Sequence, residues 1–383
     1  MLGVRRHLMT FEGIGTFPFR WLRDACQCPS CIHPSTRQKL HASSEISPSM
    51  RPEQLEKLGD KLKIQWPGHE HPSVYDRAFL EACTASHPAA DPYLERRRWA
   101  VRGIRNDPSL FIEYTALLDD DRARLLAFEH LARTGLLFVT GVPTERTGNT
   151  ECELRTLASA FSEIRETFYG QTWDVVARRG STNIAYTSLF LGLHMDLMYF
   201  EHPPRLQFLH CLRNRVEGGT SLFVDALSAA ETLRATNPPA FDILTQTRIQ
   251  FHYQNDGHYL HRTHRTIELD PGTGAVGHIN YSPPFQAPFP PETPDAVYDA
   301  LKAFAEIIEE DGRVLKYLLR EGDAVVFDNR RVLHAREAFE DPAETTVGVG
   351  QPSRWLKGCY VEQDTMLDRA RVLRTRLTEA GIV

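Results

Sequence analysis

The chain has 383 residues, which at roughly 150 residues per domain suits one large and one small domain with room for a sizeable core. Forty-four Lys and Arg against 50 Asp and Glu leave a formal charge of −6, so bulk charge favours neither nucleic acid nor an anionic membrane surface. No apolar run approaches the roughly 20 residues of a membrane helix. Seven cysteines is an odd number, and the start carries no apolar secretory segment, so a disulfide framework is a poor reading and a reducing, cytoplasmic setting is expected. The opening MLGVRRHLM, with two Arg and no acid, makes a mitochondrial start the alternative.

The first ninety or so residues are polar and rich in Pro, Ser and His, with FRWLRDA and KLKIQW as short strand-like pieces. They read as a small accessory domain, 1–90, ending in the loop-like TASHPAADPY, with a large domain over 91–383. Within the small domain Cys26, Cys28 and Cys31 follow C-x-C-x2-C. Three thiolates on one tight loop suit a tetrahedral soft-ligand ion such as zinc, and a fourth protein ligand, His69 or His71, would close a structural site.

In the large domain DDDRARLLAFEHLARTG carries Asp residues for a cap, apolar residues at helical spacing and a closing Gly, and LLFVTGVP follows as a buried strand. ELRTLASAFSEIRET, DALSAAETLRAT, TPDAVYDALKAFAEIIEE and the terminal DTMLDRARVLRTRLTEAG read as helices. RLQFLHCL, TSLFVDA, DAVVFDN and RWLKGCYV read as short strands. The helices cluster between strands rather than alternating with them, so the predicted class is mainly β with flanking helices.

A second candidate metal cluster lies in this domain. His194 and Asp196 form H-x-D in LGLHMDLMYF, and strand alternation predicts both side chains on one face. His334, after the strand AVVFD, can complete a facial set of two His and one carboxylate, the arrangement of non-heme Fe(II) oxygenases. Arg354, 20 residues later at the start of RWLKGCYV, offers a guanidinium for the distal carboxylate of a 2-oxo acid. Tyr360 is an even offset from Arg354 and would share its strand face.

The stretches WLRDACQCPSCIHPSTRQ, TFYGQTWDV, NIAYT, HMDLMYFEHPPRLQFLHCL, VEGGTSLFVDA, FDNRRVLHAREAF and RWLKGCYVEQD resemble, over nearly the full length, the γ-butyrobetaine hydroxylase and trimethyllysine hydroxylase family of Fe(II) and 2-oxoglutarate dependent dioxygenases. The resemblance implies a small N-terminal α+β zinc domain with Cys26, Cys28, Cys31 and His71, the last because HPSVY fits the family's H-x-S-x-Y. It implies a distorted double-stranded β-helix (jelly-roll) domain holding iron on His194, Asp196 and His334, with Arg354 on the 2-oxoglutarate carboxylate, ascorbate supporting activity and two subunits forming a homodimer. Tyr169, Trp173, Tyr186 and Tyr360 fall on the positions that wall a trimethylammonium group. A quaternary ammonium has no N–H to donate, so π-faces are its natural contacts, at about 0.5–2 kcal/mol each.

Asn183 matches the amide that meets the butyrobetaine carboxylate in this family, whereas trimethyllysine enzymes are expected to carry an acid there; the resemblance therefore points to the butyrobetaine branch. Ser282, in HINYSPPFQ, stands where such enzymes can supply a second Asn, and EDPAETTVGVGQPS between His334 and Arg354 is longer than the family leads one to expect. The expected reaction is C–H hydroxylation of a small quaternary amine with O2, γ-butyrobetaine to carnitine first. The alternatives are a paralogue oxidising trimethyllysine or another amine or amino acid, and a non-catalytic zinc-containing binding protein.

Overall fold

The computed structural model describes residues 2–5, 8–11, 13–84, 93, 95–176, 187–340 and 352–383. The chain divides into two compact units, Met1–Leu94 and Glu95–Val383.

In the first unit, Leu2–Arg5, Leu8–Phe11 and Gly15–Pro18 form one antiparallel sheet, and Gln54–Leu58, Lys61–Gln65 and Ser73–Asp76 form another. Along KLKIQW the strand is real: Leu62 and Ile64 alternate inward into a core with Phe17, Phe19, Leu22, Trp66 and Tyr75. FRWLRDA is not a strand but the helix Phe19–Asp24. Its aromatic content favours a strand, yet its buried residues Phe19, Leu22 and Arg23 fall at i, i+3 and i+4, and the face they bury decides the local structure.

The second unit is mostly sheet. Six strands lie in the order Trp173–Val176, Arg354–Val361, Leu206–Asn214, Ala324–Asp328, Leu136–Thr140 and Phe111–Glu113, antiparallel except for the last pair. The short Ile164–Arg165 joins beside Tyr360 and Val361. A second antiparallel sheet has the order Leu191–His194, Val332–Arg336, Ser221–Asp225 and Leu315–Tyr317. The two meet across a core that includes Phe138, Phe223, Val325 and Phe327, with Phe138 and Phe223 edge to face at 5.6 Å. Among the described residues neither sheet closes into a barrel.

Helix Asp121–Thr134 shows why the sequence marks its ends so clearly: the Asp120 carboxylate accepts from the Arg122 and Ala123 amides, and Gly135 closes it with φ 75°. A Cβ on Gly135 would also lie 2.9 Å from Arg331 Cδ. ELRTLASAFSEIRET is helical only over Glu153–Phe161; Ser162 is extended and the chain turns into Ile164–Arg165. Ala226–Thr236, Asp295–Ile308 and Gln363–Glu379 are helices as the sequence predicts. The hairpin Arg248–Asn255/His258–Arg265 was not read as strands. Among the described residues no helix is long and apolar enough to cross a membrane.

Candidate active site and a second candidate metal centre

The Leu191–His194 strand pairs with Val332–Arg336 through a bulge that sets His194 directly opposite His334, their rings 4.2 Å apart between centroids. Alternation does not bring Asp196 to them, because the strand ends at His194. Instead the chain turns: the Met195 amide donates to the Tyr281 carbonyl at 2.8 Å, and Leu197 takes φ 61°, a left-handed conformation unusual for a branched side chain. Fully buried Asn329 secures the turn. Its Oδ1 accepts from the Asp196 amide at 2.8 Å and its Nδ2 donates to the Asp196 carbonyl at 2.9 Å.

The result is a tight three-donor cluster, one ligand atom from each of His194, Asp196 and His334 lying within 4.8 Å of the others. Asp196 Oδ1 is 3.4 Å from His194 Nε2 and 4.0 Å from His334 Nε2. His194 Nδ1 lies 2.8 Å from the Gly192 carbonyl; it must donate there, which leaves Nε2 as the free lone pair. Burial, then the neighbouring His194, pushes His334 down to about 3, so its imidazole is neutral. Burial alone would raise the Asp196 carboxyl, but its close neighbours His194 and His334 and the hydrogen bond from the Tyr360 hydroxyl outweigh it and hold it well below the usual carboxylate range.

The other carboxylate oxygen is spoken for. Asp196 Oδ2 accepts from the Tyr360 hydroxyl at 2.8 Å and from Gln207 Nε2 at 2.7 Å, and Gln207 and Tyr360 face each other across the Leu206–Asn214/Arg354–Val361 ladder. Burial, then the charge of Asp196, keeps the Tyr360 phenol protonated.

These groups sit in one cavity. Its large-sheet wall carries Trp173, Gln207, Leu209, Arg354, Leu356 and Tyr360. The even spacing of Arg354, Leu356 and Tyr360 along one strand puts them on the same face. Arg354 is buried, which lowers its pKa to about 10 and still leaves a cation at neutral pH; Arg336, two residues after His334, is a second guanidinium in the lining. The indole of Trp173 stacks on Tyr360, centroids 4.2 Å apart and 29° between planes, and Tyr169 stands 6.2 Å from Trp173. Tyr199 and Phe285 extend the aromatic wall, and neither was singled out from the sequence. Gln207, Arg336 and Asn329 were missed too: their positions follow from strand register and a turn, which no motif displays.

Ser282 is not among the side chains lining the cavity; it is buried, and its Oγ has no hydrogen-bond partner. Asn183, Tyr186 and most of the segment between His334 and Arg354 lie outside the described residues.

In the first unit a tight turn, with the Cys31 and Ile32 amides both donating to the Cys28 carbonyl at 2.9 Å, gathers Cys26, Cys28 and Cys31 with His71, their ligand atoms again within 4.8 Å. His71 Nε2 is 3.4 Å from Cys31 Sγ. His69 faces Arg23 instead, at 3.2 and 3.3 Å, while Arg23 also donates to Cys31 Sγ at 3.3 Å. Burial pushes the Cys26 thiol up to about 12.

The model of the taurine catabolism dioxygenase TauD, TfdA family matches residues 107–360, two thirds of the chain. The chain belongs to this family. The TauD, TfdA match takes in all three residues of the His-Asp-His cluster, and a γ-butyrobetaine hydroxylase-like N-terminal model matches residues 11–81, which contain the cysteines. Dioxygenase str8 of Strobilurus tenacellus is 51% identical over 363 residues, covering 94% of this chain and 85% of that protein. The γ-butyrobetaine dioxygenase of Pseudomonas sp. (strain AK-1) is 34% identical over 374 residues, covering 94% and 91%. Among solved structures, an asparagine oxygenase in complex with Fe(II), 3-hydroxyasparagine and succinate superposes with a TM-score of 0.50 at 18% identity, over 63% of this chain and 79% of that one, a likeness of fold. The protein is thus a dioxygenase of the TauD, TfdA family, in the branch that contains γ-butyrobetaine and trimethyllysine dioxygenases.

Proposed function

We propose that this protein is an Fe(II)- and 2-oxoglutarate-dependent dioxygenase that hydroxylates a C–H bond of a small quaternary amine, with γ-butyrobetaine the first candidate. The observation that carries the reading is the meeting of His194, Asp196 and His334 in a cavity that also holds a buried guanidinium and stacked aromatic rings. Two imidazoles, one free at Nε2 and one held neutral, with one carboxylate suit Fe(II) and leave coordination positions open. Iron with 2-oxoglutarate and O2 would supply the oxidising chemistry for C–H cleavage.

The chain's own residues bind and orient. Arg354 grips the distal carboxylate of the 2-oxo acid in a bidentate pair. Tyr169, Trp173 and Tyr360, with Tyr186, wall the trimethylammonium group, and Asn183 meets the substrate's far end; Ser282, buried behind the cavity lining, has no part in that contact. Held at both ends, the substrate presents one methylene to the metal. The two sheets form a distorted double-stranded β-helix, and the chain works as a homodimer in a reducing compartment. Cys26, Cys28, Cys31 and His71 bind a structural zinc. The donor set suits that role, since four protein ligands leave no open position and a cation would release the proton that burial otherwise keeps on Cys26.

A second reading, a different amine or amino acid as substrate, is favoured by the higher identity to a relative whose name carries no substrate, 51% against 34%. Purified protein with Fe(II), ascorbate and 2-oxoglutarate separates the cases. Succinate that depends on γ-butyrobetaine supports the first reading, and succinate with other amines or amino acids but not γ-butyrobetaine supports the second. No succinate with any of them overturns both in favour of a binding protein.

A further inference from the structure

A carboxylate can ligate a metal through one oxygen or through both, and the second mode consumes a coordination position. Here the choice is already constrained. Asp196 Oδ2 receives two hydrogen bonds, from Tyr360 and Gln207, while Oδ1 faces the two histidines. The donors are themselves fixed. Gln207 and Tyr360 are cross-strand partners on adjacent inner strands, each 2% exposed. The Tyr360 ring is stacked on Trp173, which aims its hydroxyl. The amide of Gln207 can be oriented only one way, because a carboxylate accepts and cannot donate; its Oε1 is left buried without a protein partner. Two buried donors on one carboxylate oxygen are charge-assisted hydrogen bonds, about twice as strong as neutral ones.

We propose that Gln207 and Tyr360 are positioning residues that hold Asp196 as a one-oxygen metal ligand, and that Tyr360 ties the aromatic wall to the metal centre through its hydroxyl. This rests on the reading of His194, Asp196 and His334 as a metal site. The division of labour is clear in the geometry: Asn329 holds the Asp196 backbone, whereas Gln207 and Tyr360 hold its carboxylate. Their effect is to keep a coordination position open for the 2-oxo acid or O2, and to make any movement of the Trp173–Tyr360 stack felt at the metal ligand.

The test uses the full chain and Mn(II), a hard ion that avoids the thiolate cluster. Titration is followed by the loss of the free-ion paramagnetic resonance signal, with zinc content measured in parallel. Tyr360→Phe keeps the ring and Gln207→Met keeps an unbranched chain of similar length, each removing one donor, and each is expected to weaken Mn(II) binding about 10- to 100-fold with zinc content and circular dichroism unchanged. The bound-ion spectrum should also change in both variants, which a simple loss of packing would not do. Binding within about twofold of wild type in both variants overturns the proposal. If only one variant weakens, the other residue is removed from the role. Equal Mn(II) binding by wild type and His194→Ala would instead overturn the metal reading of the three residues, a distinct failure.

Discussion

Gly358 lies on the Arg354–Val361 strand directly opposite Trp173, and an alanine there tests whether the indole is held where the account needs it. A Cβ at this position would lie 2.6, 2.7 and 2.8 Å from Cε2, Cζ2 and Nε1 of Trp173, about 0.8 Å inside ordinary van der Waals contact. The obstacle is a buried ring already stacked at 4.2 Å on Tyr360, with no flexible side-chain end to give way. Gly358→Ala should therefore cost about 1–3 kcal/mol, the usual range for overpacking, or roughly 2–4 °C in melting temperature per kcal/mol. Displacing the indole should also raise the substrate concentration needed for half-maximal succinate formation by about tenfold, the equivalent of 1.4 kcal/mol, because Trp173 would leave the wall and press on the tyrosine bound to Asp196. Both effects are read from one preparation, by calorimetry and by substrate titration. The backbone offers no other reason for the loss, so Trp173→Ala in the same chain should relieve most of the Gly358→Ala stability cost in a double-mutant cycle. A single variant that melts within about 1 °C of wild type and binds substrate unchanged would refute the reasoning.

Trp173→Ala alone should raise the substrate requirement by about 2- to 30-fold, the span of one cation–π contact, and leave 2-oxoglutarate consumption running without product; an unchanged titration removes Trp173 from the wall. Burial pushes His130 and His210 down to about 4 from an ordinary value near 6.5. Below pH 6.5 the unfolded chain takes up protons that the folded chain refuses, so stability should be complete above that pH and fall progressively toward pH 4. A melting temperature that is flat across that window, or as steep in His210→Gln as in wild type, contradicts the assignment. His71→Ala should lose the bound zinc measured by elemental analysis while His69→Ala retains it; the reverse pattern would exchange the two histidines.

Much of this architecture is legible in the residues because it is local. Asp120 and Gly135 mark a helix by cap chemistry that acts within a few residues, and KLKIQW shows its strand by alternation. FRWLRDA fails because a helix of six residues, Phe19–Asp24, has too few turns to separate a helical face from an aromatic strand. His194, Asp196 and His334 do meet, but by another route than the sequence argument gives: His194 and Asp196 converge through a left-handed turn at Leu197 clamped by Asn329, not through strand alternation. Arg354 and Tyr360 do share a face as their even spacing implies. What the sequence leaves hidden is that the Tyr360 hydroxyl meets Asp196 and that Gln207 stands beside it, since both depend on the register between strands more than a hundred residues apart. Tyr199 and Phe285 stay hidden for the same reason: an aromatic residue carries no local sign of which cavity it will face.

The central claim is that the His194, Asp196, His334 centre couples 2-oxoglutarate turnover to oxygen insertion in a quaternary amine. Incubation with γ-butyrobetaine under labelled O2, with mass spectrometry of amine and succinate together, tests it most directly. The account predicts one labelled oxygen in the amine for each succinate formed, and neither product from His194→Ala. Succinate without a labelled amine, or labelled amine from the His194→Ala protein, would contradict it.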